Sequence, residues 1–363
     1  MSRWIRLWTG SRRDTTMPHP ELINQTGYAC DLLLLTDEEG RTVCAPLIQA
    51  TFRITSQGTL AALEQQPPIQ MGGAWRGDPA TTSMLLEPQI AFFKPGTDIV
   101  LIGHAYPSNA DRTEGLAGLR VGKLQKVARV LGERRMVRRL GVQTISAPEP
   151  FERIELSYER AYGGWDRRDP DPGKHSCEPR NPVGRGYRDK AQAGDADLLL
   201  PNIEDPAHPY QGPGDRPPPA GFGFVGPDWA PRASLAGTYD KTWSDTRKPL
   251  LPKDFDRRFF NSASPGLITP VHLVGNEAVA VLGMSEDGRV DFALPGIPAP
   301  TCRLRLRGRN VELKTQLDTL VIDMDQRRVT VTWRAHELVP RGPHDIVALE
   351  LPPQPTPQLD DED

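Results

Sequence analysis

The sequence predicts a mainly β protein: two antiparallel, sandwich-like β sections bridged by a long ordered loop segment rich in proline, glycine and aromatic residues. Three observations carry this expectation. The 363 residues include 37 Pro and 33 Gly, with proline at about twice its average share, and proline breaks helix interiors and is confined to turns and sheet edges. Apolar and polar residues alternate over short runs toward both ends of the chain, the period of a half-buried strand. Between those runs the periodicity fades while the rings persist.

Residues 1–20 form an N-terminal arm that mixes Arg3, Arg6, Arg12 and Arg13 with Trp4 and Trp8 but lacks the apolar run of a secretory signal. The first β section, 21–160, opens on a hairpin: Tyr28 to Thr36 and Arg41 to Ile54 flank a short polar connection ending at Gly40. Ile90 to Phe93 and Asp98 to Ala105 repeat that design around Lys94–Thr97, and Lys123 to Leu131 and Arg134 to Val137 flank Gly132. Phe151 to Arg160 reads as a strand with Ile154, Leu156 and Tyr158 on one face and Glu155, Ser157 and Glu159 on the other.

The bridging segment, 161–270, carries prolines every few residues and yet also Tyr162, Trp165, Tyr187, Phe222, Phe224, Trp229, Tyr239, Trp243, Phe255, Phe259 and Phe260. Disordered linkers are poor in aromatics, so this segment is expected to be packed loop with a short helix or two. In the second β section, 271–351, strands are expected at Ala278–Leu282, Arg289–Ala293, Cys302–Arg307, Asn310–Lys314, Thr319–Met324, Val329–Arg334 and Asp345–Leu351. Residues 352–363, ending Asp-Asp-Glu-Asp, read as an acidic disordered tail.

Composition excludes several classes of function. A net charge of −3 removes the basic excess usual for nucleic-acid binding, and no window reaches the 18 or so apolar residues of a membrane helix, so a cytoplasmic protein without nucleic-acid or membrane partners is expected. Cys30, Cys44, Cys177 and Cys302 are scattered and contain no C-x-x-C pair, which points to reduced thiols.

Gly221–Gly226 fits G-x-G-x-x-G, but prolines stand at 217–219 and 227 where a phosphate loop needs a strand and a helix N-terminus. His175, Cys177 and His208 lack the spacing of a zinc site, Pro340 stands where a second His would complete His336-Glu337, and Asp166, Asp169 and Asp171 lack the Gly and distal Glu of a calcium loop. No nucleophile elbow occurs. Glu155 and Glu159 read as the wet side of a strand, and Arg303, Arg305, Arg307, Arg309 and the cluster Arg134, Arg135, Arg138, Arg139 as polar surface or a polyanion patch. No catalytic residue, cofactor or metal is therefore assigned.

The central blocks carry a resemblance. Tyr158–Gly164, Asn181–Gly186, Leu200–Glu204, Pro219–Gly223, Trp229–Arg232, Ala236–Asp240 with Trp243, and Leu251–Asp256 with Phe259–Asn261 occur in this order. Together they resemble a bacterial domain-of-unknown-function family whose genes lie beside type VI secretion spike and toxin genes. The resemblance implies an effector chaperone or adaptor that binds a toxin and assists its loading onto the spike, the spike protein being a second candidate partner. Tyr162, Trp165, Trp229 and Trp243 are the candidate contact residues, because aromatics on long loops are enriched at interface hot spots. Arg160, Arg232, Asp240 and Asp254 are expected to brace the loops as buried ion pairs. The alternatives are a carbohydrate- or cell-wall-acting enzyme using loop carboxylates, with two acids converging in a cleft and one of raised pKa, and a sugar- or polyanion-binding module.

Overall fold

A computed structural model describes residues 20–190 and 197–354. All of the N-terminal arm except residue 20, and all of the acidic tail except 352–354, lie outside the described residues. The chain is mainly β, as its sequence predicts, in three larger sheets and several two-stranded ribbons. Among the described residues no helix is long and apolar enough to cross a membrane.

The β sections expected at the two ends pack into one body, and their strands interleave. The largest sheet runs in the order Ala29–Thr36, Thr42–Ile54, Arg328–Arg334, Gln316–Asp323, Asp98–Ile102, with short strands Leu60–Ala62 and Glu337–Leu338 on Thr42–Ile54. Val331 pairs with Ala50 on one side and Leu320 on the other, and Leu320 pairs in turn with Ile99 in parallel register. A five-stranded sheet orders Ile203–Glu204, Leu124–Leu131, Glu114–Val121, Ala278–Leu282 and Arg289–Ala293. In a third sheet Glu21–Asn24 lies parallel to Ile346–Leu351, which pairs with Thr301–Leu306 and through it with Arg309–Lys314. The inward residues of all three, among them Ile48, Leu101, Leu119, Val281, Leu304 and Trp333, join one apolar cluster. Burial of a continuous surface across sheets drives this association, and it ties both ends of the chain into one core.

Several expected strands are shorter or absent. Phe151–Arg160 keeps only Ile154–Glu155 and then turns through a 3-10 helix at Tyr158–Arg160, although Ile154, Leu156 and Tyr158 are buried as their alternation requires. Ile90–Phe93 forms no strand. Leu124–Leu131 pairs with Glu114–Val121, a strand whose Gly115 and Gly118 weaken its sequence signal. Met136–Arg139 makes its own ribbon with Val142–Ile145.

The central segment is ordered by contact with this core. Tyr162–Gly163 pairs with Arg185–Gly186, Trp165–Asp166 with Ser176–Cys177, and a short helix spans Lys241–Thr246. Met136, Tyr162, Tyr187, Leu198, Leu200 and Tyr210 form one satellite cluster and Tyr158, Val225 and Trp229 another. The glycines of Gly221–Gly226 serve packing: a Cβ on Gly221 would stand 2.4 Å from the Tyr158 ring, and one on Gly226 2.8 Å from Trp229. Between them Phe222 accepts from Leu101 through its carbonyl, so the stretch is strapped to the sheet.

Buried charge fixes the segment's position. Asp98, fully buried at the start of its strand, accepts from Lys94 Nζ at 2.8 Å, Asn261 Nδ2 at 3.0 Å, and the backbone N–H groups of Ser262 and Ala263 at 3.1 and 3.2 Å. Removing one partner of such a pair leaves an uncompensated charge, which costs about 3–5 kcal/mol. Lys94→Met is expected to lower unfolding free energy in urea by about that amount, and Lys94→Met with Asp98→Asn to lower it less than Lys94→Met alone.

Candidate functional site: an aromatic cleft

The central segment meets residues 72–94 across a cleft of about 1160 Å³. Three stretches line it. The first includes Trp75 and Met84 from the ribbon Ala74–Trp75/Met84–Leu86, followed by Glu87, Ile90 and Lys94. The second includes Gly164, Trp165 and Arg167 with Cys177, from the ribbon Trp165–Asp166/Ser176–Cys177. The third runs from Gly226 through Trp229 to Arg232 and closes on Phe259 and Phe260. The buried members Met84, Glu87, Lys94, Trp229 and Phe260 make the floor; the exposed members Trp165, Arg167 and Asp228 make the rim.

Each stretch is held in place by polar contacts beneath it. Arg232 Nη2 pairs with Glu87 Oε1, while its Nη1 and Nε donate to the carbonyls of Val225 and Phe259 at 2.8 and 2.9 Å. Arg76 pairs with Glu155, and Ser83 donates its N–H and hydroxyl to Glu159 at 2.7 and 2.8 Å, so the two acids that read as a wet strand face anchor the ribbon next to Trp75. On the second stretch Gly164 adopts φ +98°, and a Cβ there would stand 2.3 Å from the Gly184 carbonyl oxygen. Asn181, fully buried, donates through Nδ2 to the Tyr158 and Tyr162 carbonyls at 2.8 and 2.9 Å. Asp166 accepts from Arg168 Nε at 2.8 Å and from the Asp189 N–H at 3.0 Å. These contacts hold Trp165 outward, 44% exposed, where a loose loop would fold its ring into the cleft.

Burial pushes the Glu87 carboxyl above its usual range, against the pull of Arg232. Its Oε2 is buried without a hydrogen-bond partner among the described residues. Burial, then Glu178, push up the Cys177 thiol, which disfavours the nucleophilic thiolate. Among the described residues one group of three potential metal ligands lies within 4.8 Å, Asp37, Glu38 and Glu39. Its charge is met by Arg41 on Asp37 and Arg257 on Glu38.

Of the candidate contact residues, the cleft brings together Trp165 and Trp229. Tyr162 is interior instead: its hydroxyl donates to the Asp215 carbonyl and its ring packs against Tyr210. Trp243 lies away from the cleft, half-buried, donating Nε1 to the Leu250 carbonyl at 2.8 Å and packing on Tyr239. Of the expected bracing charges, Arg232 is buried with Glu87, and Arg160 reaches Glu133 at 2.6 Å from a partly exposed position. Asp240 and Asp254 brace by hydrogen bonds to neutral groups: Asp240 caps the helix by accepting from the Trp243 N–H, and Asp254 accepts from Thr238 N and Oγ1. The arginine clusters also divide. Arg134 is buried on Glu204, Arg303 and Arg305 share Glu350, and Arg309 meets Glu337.

Sequence reasoning missed Trp75, Glu87, Lys94 and Arg167. Trp75 and the two buried charges fall outside the central motif blocks, and an isolated Glu or Lys carries no pattern. The neighbouring Gly72-Gly73 was the available signal for a turn at this position, and Gly73 has φ +69°.

The molecule thus belongs to the class of mainly β proteins that present a preformed, ring-lined cleft on braced loops. The chain is a member of DUF2169, a family of uncharacterized proteins conserved in bacteria, whose profile matches residues 39–334 and so includes every residue lining the cleft. No curated protein matches it, and no solved structure does.

Asp166 yields a pH-dependent prediction. Hydrogen bonds from Arg168 hold its carboxyl well below the usual carboxylate range, so its stabilising contribution is present above the unfolded pKa of about 3.9 and is lost as pH falls below it. The difference in Tm between the protein and Asp166→Asn is expected to be largest above about pH 5 and to shrink below about pH 4.

Proposed function

We propose that this protein is a non-catalytic cytoplasmic adaptor that holds a type VI secretion effector and assists its loading onto the spike, with the cleft as the holding surface. The single observation that carries this reading is the cleft itself, with Trp75, Trp165 and Trp229 along a surface fixed by buried polar contacts. Such rings supply large contact area at small entropic cost, and a rigid surface loses little freedom when it binds. The volume exceeds the roughly 300–1000 Å³ usual for small-molecule sites, which suits a polypeptide occupant. The ordered motif blocks that resemble the secretion-linked family contribute Gly164, Pro182, Val183, Gly184, Trp229 and Arg232 to the lining.

A second reading, an enzyme acting on carbohydrate or cell-wall material, draws on Glu87, a carboxyl of raised pKa in the same cleft as Asp228. The pairing of Glu87 with Arg232 argues for a bracing role. Hydrolysis of purified peptidoglycan or soluble oligosaccharides that is abolished by Glu87→Gln would establish the enzyme and remove the adaptor reading.

The test is co-purification of the tagged protein with type VI secretion toxins of its own cells. The wild type is expected to retain the toxin. Trp75→Ala with Trp165→Ala is expected to lose about 2 kcal/mol of binding, roughly thirty-fold in affinity, the scale of an aromatic hot spot. Trp243→Ala, outside the cleft, is expected to bind like the wild type. Toxin levels and spike association that are unchanged on deletion of this protein would sink the proposal.

A further inference from the structure

The cleft carries an unspent polar pattern. Arg167 is exposed on the rim with its guanidinium over the Trp165 ring, 5.0 Å from the centroid. Among the described residues no carboxylate pairs with it, whereas its neighbour Arg168 is taken up by Asp166. Asp228, exposed on the same rim beside Trp229, likewise has no ion-pair partner among the described residues. On the floor, Glu87 gives Oε1 to Arg232 and keeps Oε2 buried and unpartnered. Buried polar atoms are normally satisfied, and one that is not calls for a partner from elsewhere.

These groups describe one occupant. The rings of Trp75, Trp229 and Phe260 with Met84 and Ile90 ask for apolar side chains. Oε2 asks for a donor, which an extended backbone supplies at every second residue facing it. A neutral sugar could hydrogen-bond both rim groups but brings no apolar side chain for Met84 and Ile90, and a purely acidic or purely basic ligand would satisfy one rim charge and be repelled by the other.

Resting on the adaptor reading, we propose that the cleft takes an extended, apolar segment of the effector in one direction only. A carboxylate of the segment meets Arg167, a Lys or Arg at a second position meets Asp228, and a backbone N–H donates to Glu87 Oε2. Opposite rim charges set the polarity of the bound chain, while the apolar floor supplies the contact area. Arg167, already lying on a ring, meets a carboxylate with its fork partly ordered.

A display library of randomised decapeptides, selected on the full-length protein, tests this directly. Peptides recovered by the wild type are expected to share an apolar centre with an acidic residue toward one end and a basic residue toward the other, in a fixed order. Arg167→Glu is expected to replace the acidic preference by a basic one and to weaken the wild-type peptides about tenfold. Arg167→Glu with Asp228→Arg is expected to reverse the order. Both positions are exposed, so Tm serves as the check that folding is unchanged. Recovery of no peptide, of peptides without charge bias, or of the same charge order by wild type and Arg167→Glu would overturn the inference. Co-purification of the toxin with the same variants separates the two proposals. Toxin held by the wild type and lost with Trp75→Ala and Trp165→Ala, while the library shows no charge order, removes only the inference; toxin not held by the wild type removes the adaptor reading.

Discussion

The architecture depends on giving each of a small number of buried charges an opposite charge. Asp98 begins the end strand of the largest sheet, parallel to Gln316–Asp323, with no exposed surface. An ionised carboxylate there is tolerable only with several donors around it. Lys94 supplies one from four residues earlier and also donates to Thr319 at 3.0 Å; Asn261, Ser262 and Ala263 supply the rest. The requirement therefore draws the end of the central segment back onto the sheet. Arg334 repeats the device beside it, bonded to Asp318 at 2.5 Å and to Gln89 Oε1 at 3.0 Å. Together with Glu87–Arg232 these pairs hold residues 87–98 against three distant parts of the chain. Pairs of this kind add little net stability, and their effect is to make one arrangement of the loops far cheaper than its neighbours.

That constraint explains how a segment so rich in proline and glycine supports an open apolar cleft. Exposed rings bordering such a cleft gain by collapsing into it. Collapse is opposed at two rings in different ways: Trp165 stands between Gly164 and the hydrogen-bonded Asp166, and Trp229 is packed edge-on against Tyr158 at 5.3 Å. Glycine is needed where the pinned backbones approach too closely for a side chain, and proline limits the loops between the pins to few conformations.

The sequence made the strands legible where alternation is clean. The hairpin Ala29–Thr36/Thr42–Ile54 and the strands expected from Ala278 onward lie within a few residues of their expected positions, while the short strand Glu337–Leu338 was not expected. Pairing between distant strands was not legible, because a period of two fixes which face a residue takes and says nothing about which strand lies alongside. Hence the two ends read as separate sections although Val331 lies between Ala50 and Leu320. The site was legible only in part. Rings in a proline-rich segment marked Trp165 and Trp229, but the same signal marked Tyr162, whose hydroxyl finds a carbonyl in the interior. Exposure depends on whether a nearby polar partner exists, and such partners as Asp215 and Asn181 come from other loops.

Interleaving also bears on how an occupant leaves. The lining comes from stretches about ninety and sixty residues apart along the chain, each anchored to an apolar core that both ends of the chain complete. No single loop can swing away without breaking a buried pair such as Glu87–Arg232 or a buried knot such as that around Asn181. Opening by local unfolding would therefore approach the free energy of disrupting the core itself. On the adaptor proposal, an occupant is therefore held against a braced surface, and the lifetime of the complex is set by the contacts in the cleft and not by the opening of a loop.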